Sequence, residues 1–407
     1  MSSMTPPRLL HLAQKSLLDN EALAILSLDQ LPREMFPALL VEAFNRWLLD
    51  ILRAMVRVWP FEVLPLGALM KNPQVDILKA VLDGLDMKYT QKSDCRGKLH
   101  VLDLRDAGLN FWNVWAESLD DACSSEPNMR RQPVEHKGAK SALKVIANLY
   151  LAEVTPDEFL THLLQWVKER ASLVHLCCHQ LNISVNSIHR MSNILDILEL
   201  GCIQEVQVNS DWRLPTLAKF APYLGQMSSL HKLSAFHLSF PTPISLEGKV
   251  YFNTQYNSEL PKLPHLQSLH MNSVDFLEDN LDQVFSELKH LHLSGVKLTH
   301  ISSEPLRVLL ERVAATLMTL DLMDCDITDS QLNAILPALS QCYQLTSLSF
   351  YGNRISMAMM EKLMEHTGNL SALRVELYPA PLDCYDTHGV AKRGRFFPSL
   401  YRADGHP

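Results

Sequence analysis

The sequence predicts an α/β fold: a leucine-rich-repeat solenoid, a curved horseshoe, with a helical N-terminal cap. Three observations carry that expectation. Leucines recur in the template LxxLxLxxN/CxL at intervals of 29 and 28 residues, starting at Leu288, Leu317 and Leu345. Amphipathic helical stretches separate these copies. Residues 1–95 lack the template and carry helical patterns instead.

The clearest copy is LMTLDLMDCDIT, in which Leu317, Leu320, Leu322, Cys325 and Ile327 meet the template. It recurs as LTSLSFYGNRIS, with Leu345, Leu348, Phe350, Asn353 and Ile355. Looser copies start at Leu99, Leu173, Ile203, Leu230, Leu266 and Leu370. The spacing has a physical reason. Residues of an LxL triplet alternate on a short strand, so its two leucines point to one side. The later Asn or Cys turns the chain inward again, a position well met only at Cys325 and Asn353. Helices are expected over EPLRVLLERVAATL (304–317) and DSQLNAILPALSQC (329–342). One strand–helix unit cannot bury its apolar face alone, and stacking makes a continuous core.

The repeats are expected to fill residues 96–380. The 74 residues between Leu99 and Leu173 leave room for an insertion or a skipped unit, with a polar surface loop over 118–141. Only 22 residues separate Leu266 from Leu288, so that connection is expected to be extended or 3₁₀. Residues 381–407 form a short polar tail, expected to be disordered beyond Asp383.

In the N-terminal block, Thr5 precedes two prolines, as an N-cap does. Leu9, Ala13 and Leu17 then share one helical stripe. Asp19 is expected to cap a second helix, NEALAILSL. A third follows DQLPREMFP through ALLVEAFNRW, with Pro32 and Pro37 each starting a helical turn. A fourth, LDILRAMVRVW, stops at Pro60. Helices alone, without strands, are expected before the first LxL unit.

Net charge is −8, which argues against a nucleic-acid partner. No run of 18 apolar residues exists and the N-terminus does not resemble a signal peptide, so no membrane association is expected. Eight cysteines without a CxxC fit reduced thiols inside the cell, in the cytoplasm and with the nucleus as a second compartment. The seventeen histidines are scattered, and no HExxH, GxSxG or glycine-rich phosphate loop occurs. No metal, no cofactor and no catalysis by the chain itself are expected.

The set RLLHLAQKSLLDNEALAI, LPREMFPALLVEAF, VWPFEVLPLGALMK, LPTLAKFAPYLGQM and ITDSQLNAILPALSQC, in that order, resembles the PRAME family, leucine-rich-repeat proteins of germ cells and tumours. The resemblance runs from about Pro7 to about Pro381. It implies a substrate receptor of a cullin-2 ubiquitin ligase, joined through elongin B and elongin C and served by a RING-box subunit. The protein substrate would lie on the concave face. It also implies repression of a retinoic acid receptor, negative regulation of transcription, differentiation and apoptosis, and promotion of proliferation. Leu9, Ala13 and Leu17 resemble an elongin box, LxxxCxxxΦ, with alanine at the usual cysteine. Leu31, Pro32, Met35 and Leu39 resemble a cullin-2 box, ΦPxxΦxxxΦ. Both would work as helices laid in grooves. A nuclear-receptor corepressor and a passive protein-binding scaffold are the alternatives. Two LxxLL strings, at 160–164 and 306–310, would serve the former, but their leucines are expected to be buried.

Overall fold

The computed structural model describes residues 9–70, 74–90, 98–106, 142–152, 157–185, 188–210, 212, 214–236, 263, 265–271, 287–298 and 302–384. The expected Thr5 cap, the 118–141 loop, the 272–286 connection and the tail beyond residue 384 lie outside them. The chain divides into two units, Met1–His179 with Asn193–Glu199, and Gln180–Ser192 with Leu200–Pro407. The expected boundary between residues 95 and 96 falls inside the first.

The first unit opens with α1 (Leu9–Leu18) and α2 (Glu21–Ser27). Asn20, not Asp19, caps α2, its Oδ1 accepting the Leu23 N–H at 3.1 Å. Asp19 instead takes Arg46 Nη1 at 2.8 Å. Both residue types cap well, and that ion pair leaves the cap to Asn20. A 3₁₀ turn over Arg33–Met35 follows Pro32, and α3 (Phe36–Asn45) carries Pro37 in its first turn. In both places the ring sits where a helix start leaves the N–H unused. Helix α4 (Leu49–Arg57) buries Ile51, Leu52, Met55 and Val56, one stripe, against α5 (Val75–Thr90). The two helices touch at Gly84, where a Cβ would lie 2.5 Å from the Arg53 carbonyl oxygen. Trp59 is fully buried, packs edge-on to Phe36 and Phe61, and donates from Nε1 to the Val63 carbonyl at 2.9 Å.

Strands begin earlier than expected. A two-residue β1 (Val63–Leu64) pairs in parallel with β2 (Val101–Asp103). Flanking Pro60 and Pro65 hide it in the sequence. The gap between Leu99 and Leu173 holds a skipped strand, β3 (Leu143–Ala152), parallel to β2. Helix α6 (Glu158–Glu169) starts at Asp157, whose Oδ1 accepts the Phe159 N–H. A polar clamp ties it to α5: Arg170 reaches Asp86 through Nε and Nη2 at 2.6 and 2.7 Å, and Trp166 Nε1 donates to the same carboxylate at 3.1 Å. Strand β4 (Val174–Ser184) begins in this unit and ends in the next.

In the second unit the strands follow in chain order, each parallel to the last: the end of β4, β5 (Glu205–Asn209), β6 (Lys232–Phe236), β7 (Ser268–Met271), β8 (His290–His292), β9 (Thr319–Asp321), β10 (Ser347–Ser349) and β11 (Val375–Leu377). Parallel neighbours need a crossover, and helices α7 (Leu214–Leu224), α8 (Ser303–Val313), α9 (Asp329–Leu339) and α10 (Met357–Thr367) lie between strands. Register aligns Leu181, Val206, Leu233, Leu269, Leu291, Leu320 and Leu348 in one row, all buried. Each such leucine stabilises the stack by about 1.5–3 kcal/mol.

The Asn/Cys position ties together the turns after β9 and β10. Asn353 Oδ1 accepts the Cys325 and Ile327 N–H groups at 3.1 and 3.0 Å. Its Nδ2 donates to the Leu322 and Phe350 carbonyls at 2.7 and 2.8 Å. The amide thus uses both its donors and both acceptor sites. Cys325 Sγ donates to the Leu293 carbonyl at 3.0 Å in the preceding turn. The same turns hold left-handed residues at Gly295, Asp324 and Gly352, with φ of 77°, 54° and 76°. They stand one repeat apart.

Candidate functional site

Two surfaces collect the chemistry, one in each unit. In the first unit, α1 packs on α2 and α3. Gln14 and Leu18 are buried there. Leu9 (85% exposed) and Ala13 face solvent, and Leu17 is half-buried. Leu12, Leu23 and Leu26 are exposed as well, so α1 and α2 both carry exposed apolar side chains beyond the predicted stripe. The stripe is legible in the sequence, whereas the contribution of α2 is not. Exposed apolar side chains grouped this way mark an interaction surface more often than scattered single ones do.

The second predicted set is split. Pro32 is exposed, and Leu31 and Met35 are half-buried. Leu39 has 0% exposure and packs inside the helical block with Leu40 and Ala43. It therefore supports the position of the others rather than offering a contact itself. Pro32 starts the 3₁₀ turn, its carbonyl accepting the Met35 N–H at 3.1 Å. Pro37 is buried.

In the second unit, the residues flanking the leucine row form two polar lanes. One runs Gln180, Glu205, Lys232, Ser268, His290, Thr319 and Ser347, and the other Asn182, Gln207, Ser234, His270, His292, Asp321 and Ser349. A small cleft of about 100 Å³ lies over Gln180, Asn182, Glu205, Gln207, Lys232 and Ser234. Its amides offer donors and acceptors side by side, which suits the backbone of a bound polypeptide. Further along, the His270 and His292 rings stack with centroids 4.0 Å apart and planes 13° apart. Ser268 Oγ and His270 Nε2 share a hydrogen bond at 2.8 Å, and His290 Nδ1 and Thr319 Oγ1 another at 3.1 Å. His292 Nδ1 lies 3.6 Å from Asp321 Oδ2.

Burial, then the neighbouring His292, lowers the pKa of His270 to about 4 and depresses that of His290. Burial pushes Asp321 up, but His292, the Met323 N–H and the Ser349 hydroxyl outweigh it and hold the carboxyl below its usual range. Near neutral pH this stretch therefore presents a neutral His270 beside an ionised Asp321.

His175 and His179 share one strand but not one partner. His175 Nδ1 lies 3.8 Å from Glu199 Oε1, and Arg105 Nη1 lies 2.9 Å from His179 Nδ1. Cys177, Cys178, Cys325, Cys342 and Cys384 are buried and unbridged. In the LxxLL strings, Leu163, Leu306, Leu309 and Leu310 are buried, and Leu160 and Leu164 are half-buried. No described helix is long and apolar enough to cross a membrane.

Residues 6–112 match the family model for the PRAME N-terminal domain, and residues 143–286 and 284–403 match that for the PRAME C-terminal domain. The chain is 47% identical to human (Homo sapiens) PRAME family member 12, over 97% of this chain and 89% of that protein. It is 47% identical to human PRAME family member 20, over 97% and 90%, and 41% identical to human PRAME family member 19, over 96% and 88%. A solved structure of a Bacteroides fragilis protein aligns at 12% identity and a TM-score of 0.25, over 56% of this chain and 84% of its own, and carries no argument. Both family models and relatives that align along nearly the whole chain agree: the chain belongs to the PRAME family.

Proposed function

We propose that this chain is a leucine-rich-repeat substrate adaptor of a ubiquitin ligase built on cullin-2, elongin B, elongin C and a RING-box subunit. The observation that carries the reading is the free face of α1: Leu9, Ala13 and Leu17 lie one turn apart and away from the buried Gln14 and Leu18. A helix offered to a hydrophobic groove needs such anchors on one side, with a small residue where the backbones approach. Leu31, Pro32 and Met35 supply the accessible part of a cullin contact beside it. The polar lanes of the second unit hold the substrate. The chain acts by placement in the cytoplasm, and the partner subunits supply the chemistry.

The test is capture of purified elongin B–elongin C by the full chain and by a Leu9→Asp/Leu17→Asp variant. Two anchors of about 1.5–3 kcal/mol each make the expected loss of affinity at least a hundredfold. The circular-dichroism spectrum and melting temperature should stay unchanged, because Leu9 is exposed and Leu17 only half-buried. Equal capture by both chains refutes the elongin contact.

A further inference from the structure

Trp47 differs from the other tryptophans among the described residues. Trp59, Trp166 and Trp212 are buried, and each indole N–H donates: to the Val63 carbonyl at 2.9 Å, to Asp86 at 3.1 Å and to the Val185 carbonyl at 2.7 Å. Trp47 is 52% exposed, and its indole N–H has no hydrogen-bond partner among the described residues. An indole with an apolar body and an open N–H at a surface is a frequent anchor for another protein.

The Trp47 backbone is as unusual as its side chain. Its φ is 58°, in the left-handed region. The other left-handed residues described are Gly295, Gly352, Asp324 and Asp326, each glycine or a short polar residue. Trp47 closes α3. Its N–H donates to the Phe44 carbonyl at 3.1 Å, and the Leu48 N–H reaches back to the Ala43 carbonyl at 3.0 Å. This pair of bonds ends a helix on a residue that is usually glycine, because a Cβ there crowds the following carbonyl. Helix α4 starts two residues later, and both helices are pinned by side chains with 0% exposure, Leu40 and Ala43 on one, Ile51 and Leu52 on the other. The turn therefore has no slack, and glycine would fit it with less strain. Strain held at an exposed tryptophan points to a use outside the chain.

Position selects the partner. Asp19, the residue after α1, takes Arg46 Nη1 at 2.8 Å, so α3 ends beside the end of α1, close to Leu17. Pro32 and Met35 precede the other end of α3, about 15 Å away along the helix. Trp47 thus belongs with the elongin stripe and not with the cullin set. We propose that Trp47 is an anchor for elongin B–elongin C, extending the contact of Leu9, Ala13 and Leu17 past the C-terminal end of α1. The partner supplies an apolar pocket for the ring and an acceptor for the indole N–H. The inference rests on the ligase reading and adds a contact outside both boxes.

The experiment titrates purified elongin B–elongin C into the full chain by calorimetry. Trp47→Gly, Trp47→Ala and Leu9→Asp/Leu17→Asp variants are compared with the unaltered chain, and each chain's melting temperature is recorded. Trp47→Gly should weaken binding about thirtyfold, as loss of a central anchor does, yet melt no lower than the unaltered chain. Trp47→Ala lacks the ring but keeps the strain, so it should weaken binding equally and melt below Trp47→Gly. A Trp47→Gly chain that melts lower than the unaltered one overturns the proposal, because the ring then serves packing within the chain. Full-strength binding by both Trp47 variants, while Leu9→Asp/Leu17→Asp loses it, overturns the Trp47 contact and leaves the ligase reading standing. Unchanged binding in all three variants, or no binding by the unaltered chain, removes both.

Discussion

Asn353→Leu is the most incisive perturbation of the fold. Leucine keeps the branched heavy-atom skeleton of asparagine with bulkier methyl ends, so the change removes the polarity and opens no cavity. Asn353 is 4% exposed, so water cannot easily replace the amide. The Cys325 and Ile327 N–H groups lose their acceptor, and the Leu322 and Phe350 carbonyls lose a donor. An unsatisfied buried N–H costs about 1–3 kcal/mol, so the two donors alone predict a loss of about 2–6 kcal/mol. Repeat arrays need not unfold in one step, so the loss is read locally as well as globally. Urea denaturation should give the stability change, and hydrogen exchange over residues 322–327 should accelerate by at least thirtyfold. Asn353→Asp keeps the acceptor and should fall between. A loss below about 1 kcal/mol with unchanged exchange in 322–327 would refute the assignment of this amide as the closure of the preceding turn.

Gly352→Ala puts a Cβ at 1.7 Å from Asp324 Oδ1 on a backbone with φ of 76°, so a loss of about 2 kcal/mol or more is expected by the same denaturation assay. His270 has a folded pKa of about 4, below the usual value near 6.5, so the unfolded chain binds more protons between those values and stability falls as pH drops through that window. His270→Gln should flatten stability measured from pH 7 to pH 4, and an unchanged slope would contradict the burial of a neutral ring. Burial pushes the Cys325 and Cys342 thiols up to about 12, so iodoacetamide at pH 8 should modify them at least a hundredfold more slowly in the native chain than in urea. Mass spectrometry of the alkylated peptides checks this.

The leucine template made the second unit readable because the strands from β4 to β10 each bury one residue of the same row. It failed where burial follows another rhythm. Strand β3 alternates Leu143, Val145, Ala147, Leu149 and Leu151 with period two, but without the LxxL lead-in. Strand β1 is two residues long between prolines, too short for any period to register. At the candidate site, Leu17 and Leu39 look alike in sequence, each four residues after its predecessor in the stripe. Tertiary packing separates them, since Leu17 stays half-buried on α1 while Leu39 is fully buried on α3 inside the helical block. The histidine stack was invisible because His270 and His292 come from neighbouring strands and meet only through register.

The bonds of Asn353 run toward residues already synthesised. A ribosome that has just added Ile327 must add 26 more residues before the acceptor for its N–H exists. At about 5–20 residues per second, that interval is about one to five seconds. During it the 322–327 turn lacks its closing amide, and the same debt is left by any transcript that stops short of residue 353. Translation speed over this interval, and chaperones that cover the open turn meanwhile, therefore act on the yield of folded chain before any partner is met.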